Sequence, residues 1–193
     1  RGRDIQKYVT NWDEKWIITT FPALKISIDN YSIVKNYLES FGKRLEQSGE
    51  QGCRKKTSNQ WFEIQDNIAY FADFEKPKIV WGQISDTQKF SYSEEYFFTS
   101  SNEFILTGEK LKFLLAILNS RIAKWYFDRI STTTGVGTTL WTKYKVELLP
   151  IAQTEDENPF IDLVDKILTC KASNPKANTA ELEAQIDKMV YEL

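Results

Sequence analysis

The chain has 193 residues, of which 41% are hydrophobic and 14% aromatic, and it carries a formal net charge of −2. This composition predicts one domain of ordinary size plus an appendage, and it excludes wholesale disorder. No apolar run approaches the roughly 18 residues that a membrane helix needs, and no stretch has the pattern of a signal peptide. The absence of histidine excludes Ser-His-Asp and Cys-His catalysis and every histidine-ligated metal site within this chain.

The cysteines and the first residues bear on the setting of the protein. Cys53 and Cys170 lie far apart without partners at metal-ligand spacing, so we predict neither a metal site nor a disulfide framework. A cytoplasmic location is the default expectation for such a sequence. The chain starts with Arg-Gly-Arg-Asp and its only methionine is Met189, so we expect a piece of a longer protein.

The charge is unevenly distributed along the chain. Residues from Gln153 onward include nine acidic and four basic residues, so the residues before Gln153 carry a net charge of +3. Nucleic-acid binding depends on a local cationic surface, so the overall charge of −2 does not exclude it.

The first third of the chain predicts a strand, a helix and a polar loop. Residues 16–21 (WIITTF) are rich in β-branched residues and predict a strand that Pro22 ends. Residues 31–45 carry apolar residues at helical spacing, with Asp29 or Asn30 as the expected N-cap. Residues 47–60 form a loop by composition, and this loop holds the tightest basic cluster of the chain.

Short strands are predicted through the middle of the chain. Residues 61–64 and 68–71 are candidates, and residues 78–84 (KIVWGQI) are a stronger one. Two further strands are expected around Glu94-Glu95, and another at residues 104–106.

A long amphipathic helix is then predicted from Gly108 to Ile130, with Thr107 or Gly108 as its cap. Asn119-Ser120 interrupts its apolar run and predicts a bend or a split into two helices. Residues 131–139 are small, hydroxyl-bearing or flexible apart from Val136. They fit either a loop that presents N–H and hydroxyl groups to a ligand or a solvent-exposed linker.

The end of the chain predicts one more strand at residues 144–151, an acidic linker at 153–158, and helices at 160–168 and 180–193. Asn174-Pro175 marks the turn between these helices. The resulting fold class is α+β, with a mixed or antiparallel sheet, a long central helix and a C-terminal helical hairpin.

Familiar catalytic motifs are missing or incomplete. Gly135-Val136-Gly137 follows a helix and precedes a strand, the reverse of the order in a nucleotide-binding loop. Asp13-Glu14-Lys15 has the spacing of a metal-dependent nuclease motif without its strand context. Asn158-Pro159-Phe160 lacks the second proline of an amino-methyltransferase motif and predicts a helix start instead. We therefore do not expect a self-contained enzyme.

Six segments follow one another in a recognisable order. They are GRDI at residues 2–5, WFEI at 61–64, FEKPKIVW at 74–81, LLAILNSRIAKWYF at 114–127, LPI at 149–151 and ELEAQIDKMVYEL at 181–193. In order and spacing they resemble the C-terminal specificity (target-recognition) domain of TaqI-like and Eco57I-like type II restriction-modification proteins. These are adenine-specific DNA methyltransferases that are often fused to an endonuclease. The chain has Ala152 where the family often has a second proline.

The resemblance implies a domain that recognises a short sequence in double-stranded DNA and positions it for adenine methylation, or also cleavage, by upstream domains. Residues 1–152 would form the target-recognition domain. Residues 153–193 would form a helical segment that packs on the body or on the upstream methyltransferase domain. The resemblance implies S-adenosylmethionine for that upstream domain, and we expect no cofactor, metal ligand or catalytic residue in this chain.

The predicted DNA contacts combine base readout with phosphate contacts. Arg54 is the predicted base contact. The phosphate contacts are predicted at Lys55, Lys56, Lys76 and Lys78. Contacts through hydroxyl and N–H groups are predicted at Thr132, Thr133, Thr134, Gly135 and Gly137, with apolar contact and charge from Trp141 and Lys143.

Each of these predictions has a structural alternative. The basic cluster would then be a solvated surface, and Lys76 and Lys78 would protect a sheet edge. Trp61, Trp81 and Trp125 are predicted to be core residues rather than DNA contacts. The alternative function is a non-catalytic protein-interaction or scaffold domain, in which the acidic C-terminal helices dock onto a partner.

Overall fold

The computed structural model describes residues 2–135 and 137–193. The chain divides into two units: unit 1 combines Arg1–Glu14 with Asp73–Leu193, and unit 2 is Lys15–Ala72. The predicted α+β class is confirmed, because the described residues form α-helices and several small antiparallel sheets. Within the described part of the chain, every helix is too short or too polar to cross a membrane.

The elements of the described residues are as follows. The α-helices are α1 (Ser32–Glu39), α2 (Leu111–Leu118), α3 (Arg121–Ile130), α4 (Lys143–Val146), α5 (Asn158–Ser173) and α6 (Ala180–Glu192). The strands are β1 (Ile5–Gln6), β2 (Val9–Thr10), β3 (Lys78–Gly82), β4 (Ile84–Ser85), β5 (Ser91–Ser93), β6 (Glu103–Thr107) and β7 (Thr139–Leu140).

Strand β3 is the centre of unit 1. It pairs antiparallel with β5 on one side and with β6 on the other, and Ile79 and Val80 are fully buried. The predicted strands at 78–84 and 104–106 are therefore confirmed, and of the two expected around Glu94-Glu95 only β5 forms. Two smaller antiparallel pairs, β1 with β2 and β4 with β7, complete the strands of unit 1.

The predicted long helix is split in two at Asn119-Ser120, as the interrupted apolar run indicates. The fully buried Asn119 side chain accepts a hydrogen bond from the Phe90 N–H at 3.2 Å and donates one to the Phe90 carbonyl at 2.9 Å. The Ser120 hydroxyl accepts from the Ala123 N–H and so caps α3. The predicted helix start is wrong, because the N-cap of α2 is Lys110, in a left-handed conformation with φ 58°.

Aromatic rings fill the space between the sheet and α3. Trp141 stacks parallel on Phe127 with 3.8 Å between the ring centroids, and it meets the Phe90 ring edge-on at 5.7 Å. The Trp81 indole donates a hydrogen bond to the Trp141 carbonyl at 2.8 Å. Aromatic burial of this kind contributes both apolar area and specific ring geometry, so these rings form a large part of the core.

The C-terminal helices pack on the body of unit 1. Residues of α5 and α6 share one hydrophobic core with α2, and Phe160 meets Phe113 edge-on at 5.2 Å. The two helices and their turn are confirmed. Because of this shared core, the C-terminal helices belong to unit 1 together with the sheet. The predicted strand at 144–151 is wrong: α4 forms there, and Val146 and Leu149 enter the core at helical spacing.

Unit 2 is built from helix α1, short 3-10 helices and turns. The predicted strand at 16–21 does not form, and Trp16 is 85% exposed. Residues 61–64 and 68–71 form turns and the start of a 3-10 helix instead of strands. The predicted helix at 31–45 ends early, since α1 stops at Glu39 and a 3-10 helix covers Gly42–Leu45. The N-cap of α1 is Tyr31 rather than Asp29 or Asn30.

The buried amide of Asn119 gives a first prediction. Asn119→Leu leaves the Phe90 N–H without its acceptor and removes one of two donors to the Phe90 carbonyl, which also accepts from the Tyr8 N–H at 2.9 Å. We therefore expect the free energy of unfolding to fall by about 2 kcal/mol. Urea unfolding monitored by circular dichroism measures this loss. The control is Asn102→Leu at an exposed turn, for which we expect almost no change. Equal stability of the two variants would show that the amide pair contributes little.

Candidate nucleic-acid interface

Four exposed basic residues lie around one loop of unit 2, and we name them the basic surface: Lys43, Arg44, Lys55 and Lys56. The 3-10 helix Gly42–Leu45 carries the first two, and the following loop carries the others. Backbone bonds close this loop: the Arg54 N–H donates to the Glu46 carbonyl at 2.8 Å, and the Gly49 N–H donates to the Arg54 carbonyl at 3.0 Å. The loop closure brings together cations that are eleven or more positions apart in sequence.

The Arg54 side chain holds this loop from the inside. Its Nε donates to the Leu45 carbonyl at 2.9 Å, its Nη1 to the Glu63 carbonyl at 2.9 Å, and its Nη2 to the Trp61 carbonyl at 2.6 Å. Partial burial lowers the pKa of the guanidinium, which still remains protonated at neutral pH. Because all three nitrogens contact the protein's own backbone, the geometry favours a positioning role for Arg54 over the predicted base contact.

Gly49 allows the loop to turn beside Lys56. Its φ of 78° lies in the left-handed region, and a Cβ at this position would come within 3.3 Å of the Lys56 Cβ. A residue with a side chain would therefore be strained here. The glycines that mark residues 47–60 as a loop in the sequence thus help to shape the basic surface.

Aromatic side chains continue the basic surface along α1. The Tyr37 ring meets the Phe41 ring edge-on at 5.1 Å, and the Arg44 guanidinium lies 5.6 Å from the Phe41 centroid. Lys43 and Arg44 were not among the predicted contacts, because the sequence pattern placed them inside a continuous helix. Gly42 is the signal in the sequence that the helix ends before them, and in the structure its φ of 52° lies in the left-handed region.

The Thr/Gly segment of unit 1 forms a closed turn. The Thr134 N–H donates to the Thr138 carbonyl at 3.0 Å, and the hydroxyls of these two threonines bond to each other at 2.6 Å. Gly135 and Gly137 both have φ of 81°, and Val136 lies outside the described residues. All five predicted contacts in this turn are exposed: Thr132, Thr133, Thr134, Gly135 and Gly137.

Lys78 is not a phosphate contact, and this prediction is corrected. Its side chain is fully buried, and Nζ donates to the carbonyls of Phe74 at 2.8 Å and Glu95 at 2.6 Å. It also lies 4.6 Å from the Phe97 ring centroid. Desolvation lowers the pKa of this ammonium, partly offset by the nearby Glu95 carboxylate. Lys78 therefore fixes the chain after β5 instead of meeting a ligand.

The remaining residues predicted as DNA contacts or as core differ in how far they are buried. Trp141 is buried in the aromatic core, so the prediction that it contacts DNA is wrong. Lys76 is exposed and pairs with Asp73 at 2.7 Å, and Lys143 is exposed and lies 3.7 Å from Glu147. Trp81 is a core residue as predicted, whereas Trp125 is 55% exposed and the core prediction for it is wrong.

The comparison with protein families identifies the class to which this α+β chain belongs. The model of the TaqI-like C-terminal specificity domain matches residues 1–151. The chain therefore belongs to this family and is a DNA sequence-specificity domain of the restriction-modification class, as the resemblance predicts. Five of the six segments that carry the resemblance lie in the match, and the closing helix segment lies beyond it. A comparison with curated proteins finds no match.

The Arg54 contacts give a second prediction. Arg54→Met removes three donors to backbone carbonyls, so we expect the loop to open and its amides at Gly49 and Arg54 to exchange at least tenfold faster. Hydrogen exchange followed by mass spectrometry of peptides from residues 45–63 measures this. Lys55→Met, next to it and exposed, is the matched control and should exchange like the unmodified protein. Unchanged exchange in Arg54→Met would contradict the positioning role.

Proposed function

We propose that this chain recognises a short sequence in double-stranded DNA on behalf of an adenine-specific methyltransferase domain of the same protein. The observation that carries the proposal is the basic surface of unit 2, where four cations surround a loop fixed by Arg54. Family membership supports the DNA-specificity role. Exposed cations on a rigid loop suit contacts to phosphates, which set the register of a protein on the duplex.

Within this proposal, Lys55 and Lys56 contact phosphates, and Lys43 does so by exchanging its 3.7 Å pair with Glu50 for a phosphate. Arg44 takes the base-reading role that the sequence suggested for Arg54. A lysine ammonium is a flexible point charge, whereas an arginine presents a planar fork that fits the two acceptors of guanine in the major groove. Arg44 is the residue of the basic surface with such a fork, and its guanidinium lies near the Phe41 ring. An oriented guanidinium loses less entropy when it binds.

The methyl transfer itself belongs, in this proposal, to a methyltransferase domain outside this chain, and that domain would bind S-adenosylmethionine. A glycine-rich turn at Gly135 and Gly137 follows α3 and precedes β7, an order unsuited to a nucleotide cofactor. A protein of the restriction-modification class would act in the cytoplasm, and a fused endonuclease would add type II cleavage at the recognised site.

The packing of the tail bears on the alternative scaffold function. In that alternative the acidic C-terminal helices dock onto a partner. The apolar residues of α5 and α6, such as Val164, Ile167 and Ile186, are buried against the body of unit 1, which disfavours docking through an apolar face. Family membership favours DNA recognition over the scaffold function.

The basic surface gives a third prediction, on affinity. In the full-length protein, Lys55→Gln with Lys56→Gln should lower the slope of log K against log salt by about 1.8, because each phosphate contact contributes about 0.9. The probe is a duplex that carries the motif methylated in the source genome. Lys166→Gln with Lys188→Gln removes the same charge from exposed positions on α5 and α6, and its slope should stay unchanged. Identical slopes for the two double variants would contradict the proposed interface.

A fourth prediction concerns sequence discrimination by Arg44. Arg44→Lys keeps the charge and removes the fork, so we expect discrimination at one base pair to fall by about 10- to 100-fold, equivalent to about 1–3 kcal/mol. The full-length protein methylates a randomised duplex library, and sequencing of the methylated fraction reports the preferred motif. Lys43→Arg is the neighbouring control and should keep the motif. An unchanged motif in Arg44→Lys would assign base reading to other residues.

A further inference from the structure

Helix α3 of unit 1 carries an aromatic residue on the face opposite the core. Ala123 and Phe127 point into the core, while Trp125 is 55% exposed and Ile122 is 39% exposed. A large exposed aromatic side chain on a helix that already has a buried face is typical of an interaction site rather than of packing.

Arg129 lies directly over this exposed ring. The Cζ atom of its guanidinium is 3.5 Å from the centroid of the Trp125 ring, and its Nη1 donates to the Trp125 carbonyl at 2.7 Å. The stacking and the hydrogen bond together restrict the guanidinium to one orientation. One of its five N–H donors is used in this way, and the side chain as a whole is exposed.

The surroundings of this stack are cationic. Helix α4 packs against α3, and on it Lys143 is exposed while Lys145 donates from Nζ to the Ile130 carbonyl at the end of α3. The carboxylate of Asp128 is neutralised by Lys124, whose Nζ lies 2.6 Å from both of its oxygens. Glu147 lies 3.7 Å from Lys143 and partly offsets its charge. A partner with negative charge therefore fits this face.

We propose that Trp125 and Arg129 of α3, with Lys143 of α4, form a second DNA contact surface that binds the sugar-phosphate backbone. The oriented guanidinium binds a phosphate, and the indole packs against the adjacent deoxyribose. Charge complementarity favours the DNA backbone over a protein partner, because arginine forks match phosphate oxygens and phosphate contacts dominate DNA affinity. The inference rests on the proposed DNA-recognition function and adds a contact surface on unit 1.

The experiment uses the full-length protein and the same motif-bearing duplex. We expect Trp125→Ala and Arg129→Gln each to raise Kd about tenfold, and Arg129→Gln to lower the salt slope by about 0.9. The methylated motif should stay unchanged, since backbone contacts carry no direct sequence information. Lys110→Gln is the charge-matched control, because this exposed residue is the N-cap of α2 and pairs with Glu157, whereas α3 follows the other end of α2. This control should bind like the unmodified protein.

Thermal melting separates contact from folding. Both altered side chains are exposed, so each variant should melt within a few degrees of the unmodified protein. A variant that binds tenfold more weakly at an unchanged melting temperature supports the inference. Arg129→Lys adds a second test, since it keeps the charge and loses the stacked fork, and intermediate affinity supports the geometry.

Three outcomes would overturn the inference. Unchanged Kd in Trp125→Ala and Arg129→Gln, together with weaker binding in the Lys55 and Lys56 double variant, would remove this surface and leave the proposed function intact. Loss of methylation without loss of DNA binding would assign the surface to a neighbouring protein domain. Absence of motif-specific binding by the unmodified protein would overturn the proposed function and this inference together.

Discussion

The hydrogen-bonded pair between the Asn119 side chain and the Phe90 backbone is the interaction on which unit 1 depends. It is fully buried, so neither partner can exchange its hydrogen bond for one with water without local opening. The Gln88 side chain adds to it by donating to the Asn119 carbonyl at 3.1 Å. Because the pair lies at the junction of α2 and α3, it determines where α3 begins. It therefore determines which residues of α3 face the aromatic core and which face solvent.

Hydrogen bonds to the protein's own backbone carbonyls also explain why the sequence alone does not show which arginines and lysines are free to contact DNA. Arg54 and Lys78 look, in the sequence, like any other cations near a glycine or proline. In the structure their donors contact the protein's own carbonyls, while Lys55 next to one of them is exposed. Arginine and lysine are enriched at DNA interfaces, but the same donors satisfy carbonyls that a loop leaves without partners. Local composition cannot separate the two uses, because only the folded path of the backbone brings these carbonyls to the donors.

The fold was predictable where periodicity is long or a break is chemically distinct. The split at Asn119-Ser120, the C-terminal helices, and strands β3 and β6 follow from such patterns. The strand predicted at residues 16–21 does not form. β-Propensity produces a strand only when a partner strand is available, and none pairs there in the described part of unit 2. Helix α4 was not predicted, because its four residues are too few to show a helical period. Of the candidate site, Lys55 and Lys56 are predictions from the sequence. Arg44 and Arg129 enter only with the structure, because their ring contacts form across a turn or along a helix.

The way in which Arg54 holds its loop has a consequence for how recognition could diversify. Its three partners are backbone carbonyls, and every amino-acid type provides a backbone carbonyl. The side chains at Leu45, Trp61 and Glu63 therefore do not contribute to these hydrogen bonds. Exposed positions around the loop, apart from Gly49 and Gly52 with their positive φ, can also change without disturbing it. The loop framework and the surface proposed to read DNA are thus encoded by separate residues. If that surface reads DNA as proposed, a descendant of this chain could acquire a new target sequence through a few surface substitutions at little cost in folding.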